Sequence, residues 1–194
     1  MTEDEIEKHF QQSCQLRDEF WESVGAVDAD VIGHLINPAF MGGPRCPSMR
    51  QAFITVRRGQ STIVASDGLS DPFGAVDETP ASDCGNGFGL EFYVETPGNL
   101  GSVKESWQFD LVYEMSQNAA YSGDFRPLLQ KLKYLTSELY DVRVPQEFHA
   151  DEGRTGVLIG LESKTVPAQV ALSLETVFVV NVKLLTVRET PICC

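Results

Sequence analysis

The chain has 194 residues, 42% of them hydrophobic and 9% aromatic, and a formal net charge of −13 with a pI near 4.5. This length and apolar content suit one globular domain and argue against disorder, and no apolar run is long enough to span a bilayer. The charge argues against a nucleic-acid ligand, because such affinity comes mainly from Lys and Arg neutralising phosphates.

The first ten residues, MTEDEIEKHF, are acidic and polar, unlike the basic start and apolar middle of a secretory signal. The spacing predicts a helix over Glu3–Val24. Thr2 and Glu5 form a capping box, and Ile6, Phe10, Cys14, Phe20, Trp21 and Val24 give an apolar side with one imperfect turn near Ser13–Arg17. Gly25 is a natural stop. A second short helix is expected over Asp28–Leu35, closed by INPAF, and the Pro- and Gly-rich Asn37–Met49 reads as a loop. A hairpin follows: Gln51–Arg57, a turn at Arg58-Gly59, and a return strand over Gln60–Ser66.

The stretch SDGLSDPFGAVDETPASDCGNGFGLEFYVET, Ser66 to Thr96, holds Asp67, Asp71, Asp77, Glu78, Asp83, Glu91 and Glu95. No Lys or Arg occurs between Gly59 and Val103. Its last part, Phe88–Glu95, alternates like a strand with one buried face and a wetter face carrying Glu91 and Tyr93. Two helices come next. Trp107, Leu111 and Met115 mark the first. Asp124 caps the second, with Pro127 in its first turn and Leu128, Leu132, Leu135 and Leu139 along one side. YDVRVPQEF is extended, and strands are expected at Thr155–Glu162 and Thr176–Val187. Strands and helices come in runs, so the fold class is α+β: a mixed, mostly antiparallel sheet with helices packed on it, in a single domain.

Catalytic patterns are missing from the sequence. Ser70 in Gly68-Leu69-Ser70-Asp71 lacks the second glycine of a nucleophile elbow and precedes a proline. Gly85–Gly89 has no phosphate-loop lysine and leads into a strand. Asp77, Glu78 and Asp83 do not follow calcium-loop spacing. The five cysteines, Cys14, Cys46, Cys84, Cys193 and Cys194, form no C-x-x-C pair, and His9, His34 and His149 are scattered. The expectation is reduced thiols in the cytoplasm, no metal and no cofactor. Turn chemistry accounts for the special residues instead. Asp71-Pro72-Phe73-Gly74 meets the demands of a type I turn, Gly68 and Gly87 supply positive φ, and Gly89 allows close approach beside a strand. Phe73 is left as a packing anchor or a contact.

ASDGLSDPFG followed by NGFGLEFYVET resembles the signature of the Suppressor of fused domain family, and the likeness extends through SWQFDLVYEMSQNAA, LTSELYDVRVP, TGVLIGL and VVNVKLLTVRE, over roughly residues 45–190. The resemblance implies an α+β fold and a non-enzymatic, protein-binding role. Animal members grip an extended peptide of Gli-type factors between two domains, a mode this length does not carry over. Bacterial single-domain members resemble immunity proteins that block a toxin, often a nuclease. A basic toxin would suit the acidic stretch. The expected partner contacts are Asp71, Phe73, Asp77, Glu78, Asp83, Glu91 and Tyr93. Two alternatives stand beside this reading: a regulatory module that adds a peptide strand at a sheet edge near Phe88–Glu95, and an enzyme.

Overall fold

The computed structural model describes residues 2–33, 40, 42–43, 46–47, 51–72, 85–122, 125–150 and 153–189. Helix α1 spans Glu3–Val24, as expected, and both bonds of the capping box form: the Glu5 amide donates to Thr2 Oγ1 and the Thr2 amide to Glu5 Oε2. Gly25 ends the helix with an extended backbone rather than a left-handed one. Its need for glycine is steric, since a Cβ there would lie 2.6 Å from the Arg57 carbonyl oxygen.

The strands are β1 (Ala26–Val27), β2 (Ile32–Gly33), β3 (Ala52–Arg58), β4 (Ser61–Asp67), β5 (Leu90–Pro97), β6 (Leu135–Tyr140), β7 (Arg154–Ile159), β8 (Gln169–Ala171) and β9 (Thr176–Leu184). They form one sheet in the order β1-β3-β4-β5-β9-β7-β6, with β2 also on β3 and β8 on β9. Only β5–β9 is parallel; the other pairs run antiparallel, and helices α2 (Trp107–Ser122) and α3 (Phe125–Leu132) complete an α+β fold. The β3–β4 hairpin closes at Arg58↔Ser61, so its turn is Gly59-Gln60, one residue later than the sequence suggests.

Three expectations are corrected. The Asp28–Leu35 helix does not form over the residues described. Asp28 instead donates its amide to the Thr55 carbonyl and takes a two-pronged bond from Arg57, while β1 and β2 pair with β3. The second leucine-marked helix is short. Lys133 adopts φ +64° and donates to the Leu129 carbonyl, closing α3, and Leu135 and Leu139 belong to β6. A spacing of four residues returns a side chain to the same side of both a helix and a strand, so the leucines did not distinguish them. Leu129, not Leu128 or Leu132, is the buried leucine of α3. The third correction concerns β5, whose supposedly wetter face is dry.

That face is dry because the sheet is covered on both sides. On one side α2 and α3 pack Leu111, Val112, Met115, Ala119 and Leu129 against Phe53, Val64, Leu90, Phe92, Val94, Val180 and Val182. On the other, α1 lays Trp21, with Phe20 and Val24, over Ile54, Val56, Ile63, Ala65, Tyr93 and Val179. Central strands sandwiched this way lose contact with water on both faces. β5 is also an interior strand of the sheet: Leu90–Tyr93 pair with β9 and Tyr93–Pro97 with β4, and Ser66 Oγ takes the Phe92 amide.

Candidate functional site

The sequence turn GLSD and the strand GFGLEF meet at a buried polar cluster organised by α1. Ser13, Arg17 and Trp21 recur every four residues on the helix's inner side, and Arg17 is 1% exposed. Its guanidinium reaches the end of β4 and the turn behind it. Nε donates to Asp67 Oδ1 at 2.8 Å, Nη1 to Ser70 Oγ at 3.2 Å, and Nη2 to Asp71. Burial pulls the Arg17 pKa down, yet Asp71, Asp67 and Glu91 outweigh it and hold the guanidinium well above its ordinary value. Arg17 is a fixed cation.

Glu91 projects from β5 into the same cluster. Its Oε1 accepts the Gly68 amide (3.0 Å), the Ser70 amide (2.9 Å) and Ser70 Oγ (2.6 Å), and Ser66 Oγ donates to its other oxygen. Glu91 is thus a side-chain anchor for the backbone of the turn. Asn86 continues the network: its Nδ2 donates to Ser13 Oγ and the Ser70 carbonyl, and its Oδ1 accepts the amides of Leu174 and Glu175. The glycines behave as turn chemistry requires, with φ of +139° at Gly68, +55° at Gly87 and +68° at Gly89. At Gly89 the Arg126 side chain occupies the space of a Cβ.

The expected contact residues therefore separate. Asp71 and Glu91 come together, but inside the molecule, at 0% and 1% exposure. Tyr93 is likewise buried and meets Trp21 edge-on, ring centroids 6.0 Å apart. These three are corrected from surface contacts to interior ones. The reason for Asp71 and Glu91 is that long-range partners satisfy their charge; for Tyr93 it is the α1 cover. Phe73, Asp77, Glu78 and Asp83 lie outside the described residues, as does the second half of the Asp71–Gly74 turn. Ser70 Oγ is fully buried, donating to Glu91 and accepting from Arg17. Among the described residues no group of three or more His, Cys, Asp or Glu could hold a metal ion. No helix there is long and apolar enough to cross a membrane.

Two buried groups give this region a pH signature. Burial, with Glu91 and Asp71 nearby, pushes the Cys46 thiol up to about 11, and burial pushes the Tyr93 phenol up to about 12. Both folded values lie above those of an unfolded chain, so the unfolded state releases these protons first. The stability they allow is complete below about pH 8.5 and declines as pH rises towards 11. Urea titrations should show unfolding free energy falling by about 4 kcal/mol over that interval, and Cys46→Ala should remove most of the early part of the decline. A flat profile to pH 11 would refute the assignment.

Exposed charge gathers at both ends of α1: Glu3, Asp4, Glu5 and Glu7 near its start and Asp18, Glu19 and Glu22 near its end, with Lys8 as the exposed base of that helix. Sequence reasoning located the acidic surface in the 59–103 stretch and passed over this one, though its carboxylates stand at both ends of the first helix. It also passed over Arg17. The signal was the imperfect turn at Ser13–Arg17, because a polar pair in line with Trp21 on a helix's buried side needs polar partners. No family model matches the chain, and no curated protein matches it.

Proposed function

We propose that the chain is a non-enzymatic, cytoplasmic protein-binding domain, an immunity-type inhibitor that covers a basic toxin domain, such as a nuclease, with an acidic surface. The observation that carries this reading is the seven exposed carboxylates in two groups at the ends of α1, on a helix that Trp21 and Arg17 pin to the sheet. A rigid surface of one sign steers an oppositely charged partner into contact and speeds association. The resemblance of GLSD and GFGLEF to the Suppressor of fused family supports the same reading, since its bacterial members resemble immunity proteins. With Asp71 and Glu91 interior, the reading rests on the exposed carboxylates of α1.

The test is association with the toxin encoded beside the gene in the native host, followed by biolayer interferometry. The association rate should fall steeply between about 50 and about 300 mM salt. The triple variant Glu7→Lys/Asp18→Lys/Glu22→Lys should slow association roughly tenfold or more while circular dichroism stays that of the parent. A neighbouring product that does not bind, or a rate that ignores the reversal, would sink the proposal.

A further inference from the structure

The sheet has one guarded end and one open end. At the guarded end, β1 and β2, two residues each, take up the outer edge of β3. At the other, β6 pairs with β7 alone, and no strand among the described residues lies on its far side. Natural edges are usually protected by Pro, Lys, a bulge or an inward charge. β6 has none of these. Its six residues, Leu-Thr-Ser-Glu-Leu-Tyr, pair one to one with β7 from Leu135↔Ile159 to Tyr140↔Arg154. Its one charge, Glu138, is drawn back to Arg154 at 3.4 Å.

Exposed apolar side chains flank this edge. Tyr134 precedes the strand and Tyr140 ends it, while Leu128 and Leu132 stand one turn apart on α3, which packs beside β6. The local charge also differs from that of the chain. Between Phe125 and Tyr140 the bases are Arg126, Lys131 and Lys133 against Glu138 as the one acid. Arg126 pairs with Glu175 and Asp141 follows directly, so this end does not share the acidity of the chain and has little to attract a basic partner.

We propose that β6 pairs antiparallel with β6 of a second copy, about a two-fold axis at Ser137. The strand is self-complementary in that register. Ser137 meets its own copy, Leu135 meets Leu139 on the face that continues the α2/α3 core, and Tyr134 meets Tyr140 on the other, with Thr136 opposite Glu138. Moving the axis to Glu138 would place like charges directly opposite, which disfavours that register. An isologous contact of this kind closes at two copies. It leaves both α1 helices free, since α1 packs chiefly on β1, β3 and β8 rather than on β6. The proposal stands independently of the toxin reading.

Cross-linking tests the axis. In a background with Cys14, Cys84, Cys193 and Cys194 replaced by serine and buried Cys46 kept, Ser137→Cys should give a disulfide-linked dimer on mild oxidation. Opposed residues in antiparallel strands bring their Cα atoms to about 4.5–5.5 Å, within disulfide reach. Thr136→Cys, whose opposite residue is Glu138, should not, whereas Thr136→Cys/Glu138→Cys should. Sedimentation equilibrium near 100 μM reads the unmodified chain, about the concentration at which a weak contact becomes visible. Dimerisation should strengthen with added salt, because two copies of net charge −13 repel at long range. Tyr134→Lys/Tyr140→Lys, which sets lysines opposite each other, should weaken the dimer at least roughly tenfold, and Tyr134→Lys/Tyr140→Glu should restore it. A monomer at every salt concentration, equal cross-linking at 136 and 137, or a dimer indifferent to the lysine pair would overturn the proposal. Capture of a test extended peptide by a chain that stays monomeric would overturn it too, by assigning the edge to a different occupant.

Discussion

Arg17→Met should lower the unfolding free energy by about 3–5 kcal/mol, the usual cost of removing one partner from a buried ionic cluster. The guanidinium bonds Asp67, Ser70 and Asp71 at once, with 1% exposure, and lies 4.0 Å from Glu91. Methionine fills a similar volume and keeps the helix propensity, so the loss reads the charge and its fork of donors rather than a cavity. Against a total stability of about 5–15 kcal/mol, the variant should fold only marginally and need sulfate for a complete urea curve. Arg17→Lys should retain part of the difference, because one ammonium keeps the charge but cannot reproduce the planar fork across two carboxylates and a hydroxyl. The near-ultraviolet dichroism of Trp21, one turn further along α1, should weaken in step. A loss below about 1 kcal/mol would show that α1 is held by Trp21 packing alone and that the cluster is incidental.

The way this cluster escaped the sequence shows where local reasoning stops. α1 and the β3–β4 hairpin were legible because their signals are local. The capping box, an apolar side at helical spacing, and β-branched runs around a glycine turn all act within a few residues. Glu91 and Tyr93 were misplaced because alternation in a strand gives the two faces, but not whether each is covered. That depends on α1, a partner some seventy residues away in the chain. A carboxylate in a strand was read as wet. Here it is dry because Gly68, Ser70 and Ser66 supply its donors. The Leu128–Leu139 series failed for a different reason: 128/132 and 135/139 are each four apart, which suits helix and strand alike, the step of three between them continues a helical face, and Lys133 in the left-handed region ends the helix there. For GLSD the turn chemistry was readable and its second task was not. Besides reversing the chain, it bonds α1 through Ser70 and Asp71 and β5 through the backbone that Glu91 binds.

Gly87 gives that second task its sharpest test. Gly87 and Gly59 share the same backbone angle, φ +55°, but not the same surroundings. A Cβ at Gly59 meets nothing, so Gly59→Ala pays only for a left-handed alanine, about 1 kcal/mol. A Cβ at Gly87 would overlap the Leu69 carbonyl oxygen and lie 2.7 Å from the Asp71 carbonyl oxygen and from Pro47 Cγ. The Leu69 oxygen accepts the Phe88 amide at 2.8 Å, so it cannot withdraw without breaking the bond that ties the turn to the approach to β5. Gly87→Ala should therefore cost about 3–4 kcal/mol in urea unfolding, and its excess over Gly59→Ala isolates the steric part because the conformational part is common to both. Gly87→Ala and Arg17→Met should also be markedly less than additive, since each loosens the same turn and the second change finds it already displaced. Full additivity would mean that the turn is anchored separately to α1 and to β5. Coupling would mean that the helix bearing the acidic surface is held to the sheet through GLSD, and that damage at either anchor reaches the proposed binding face.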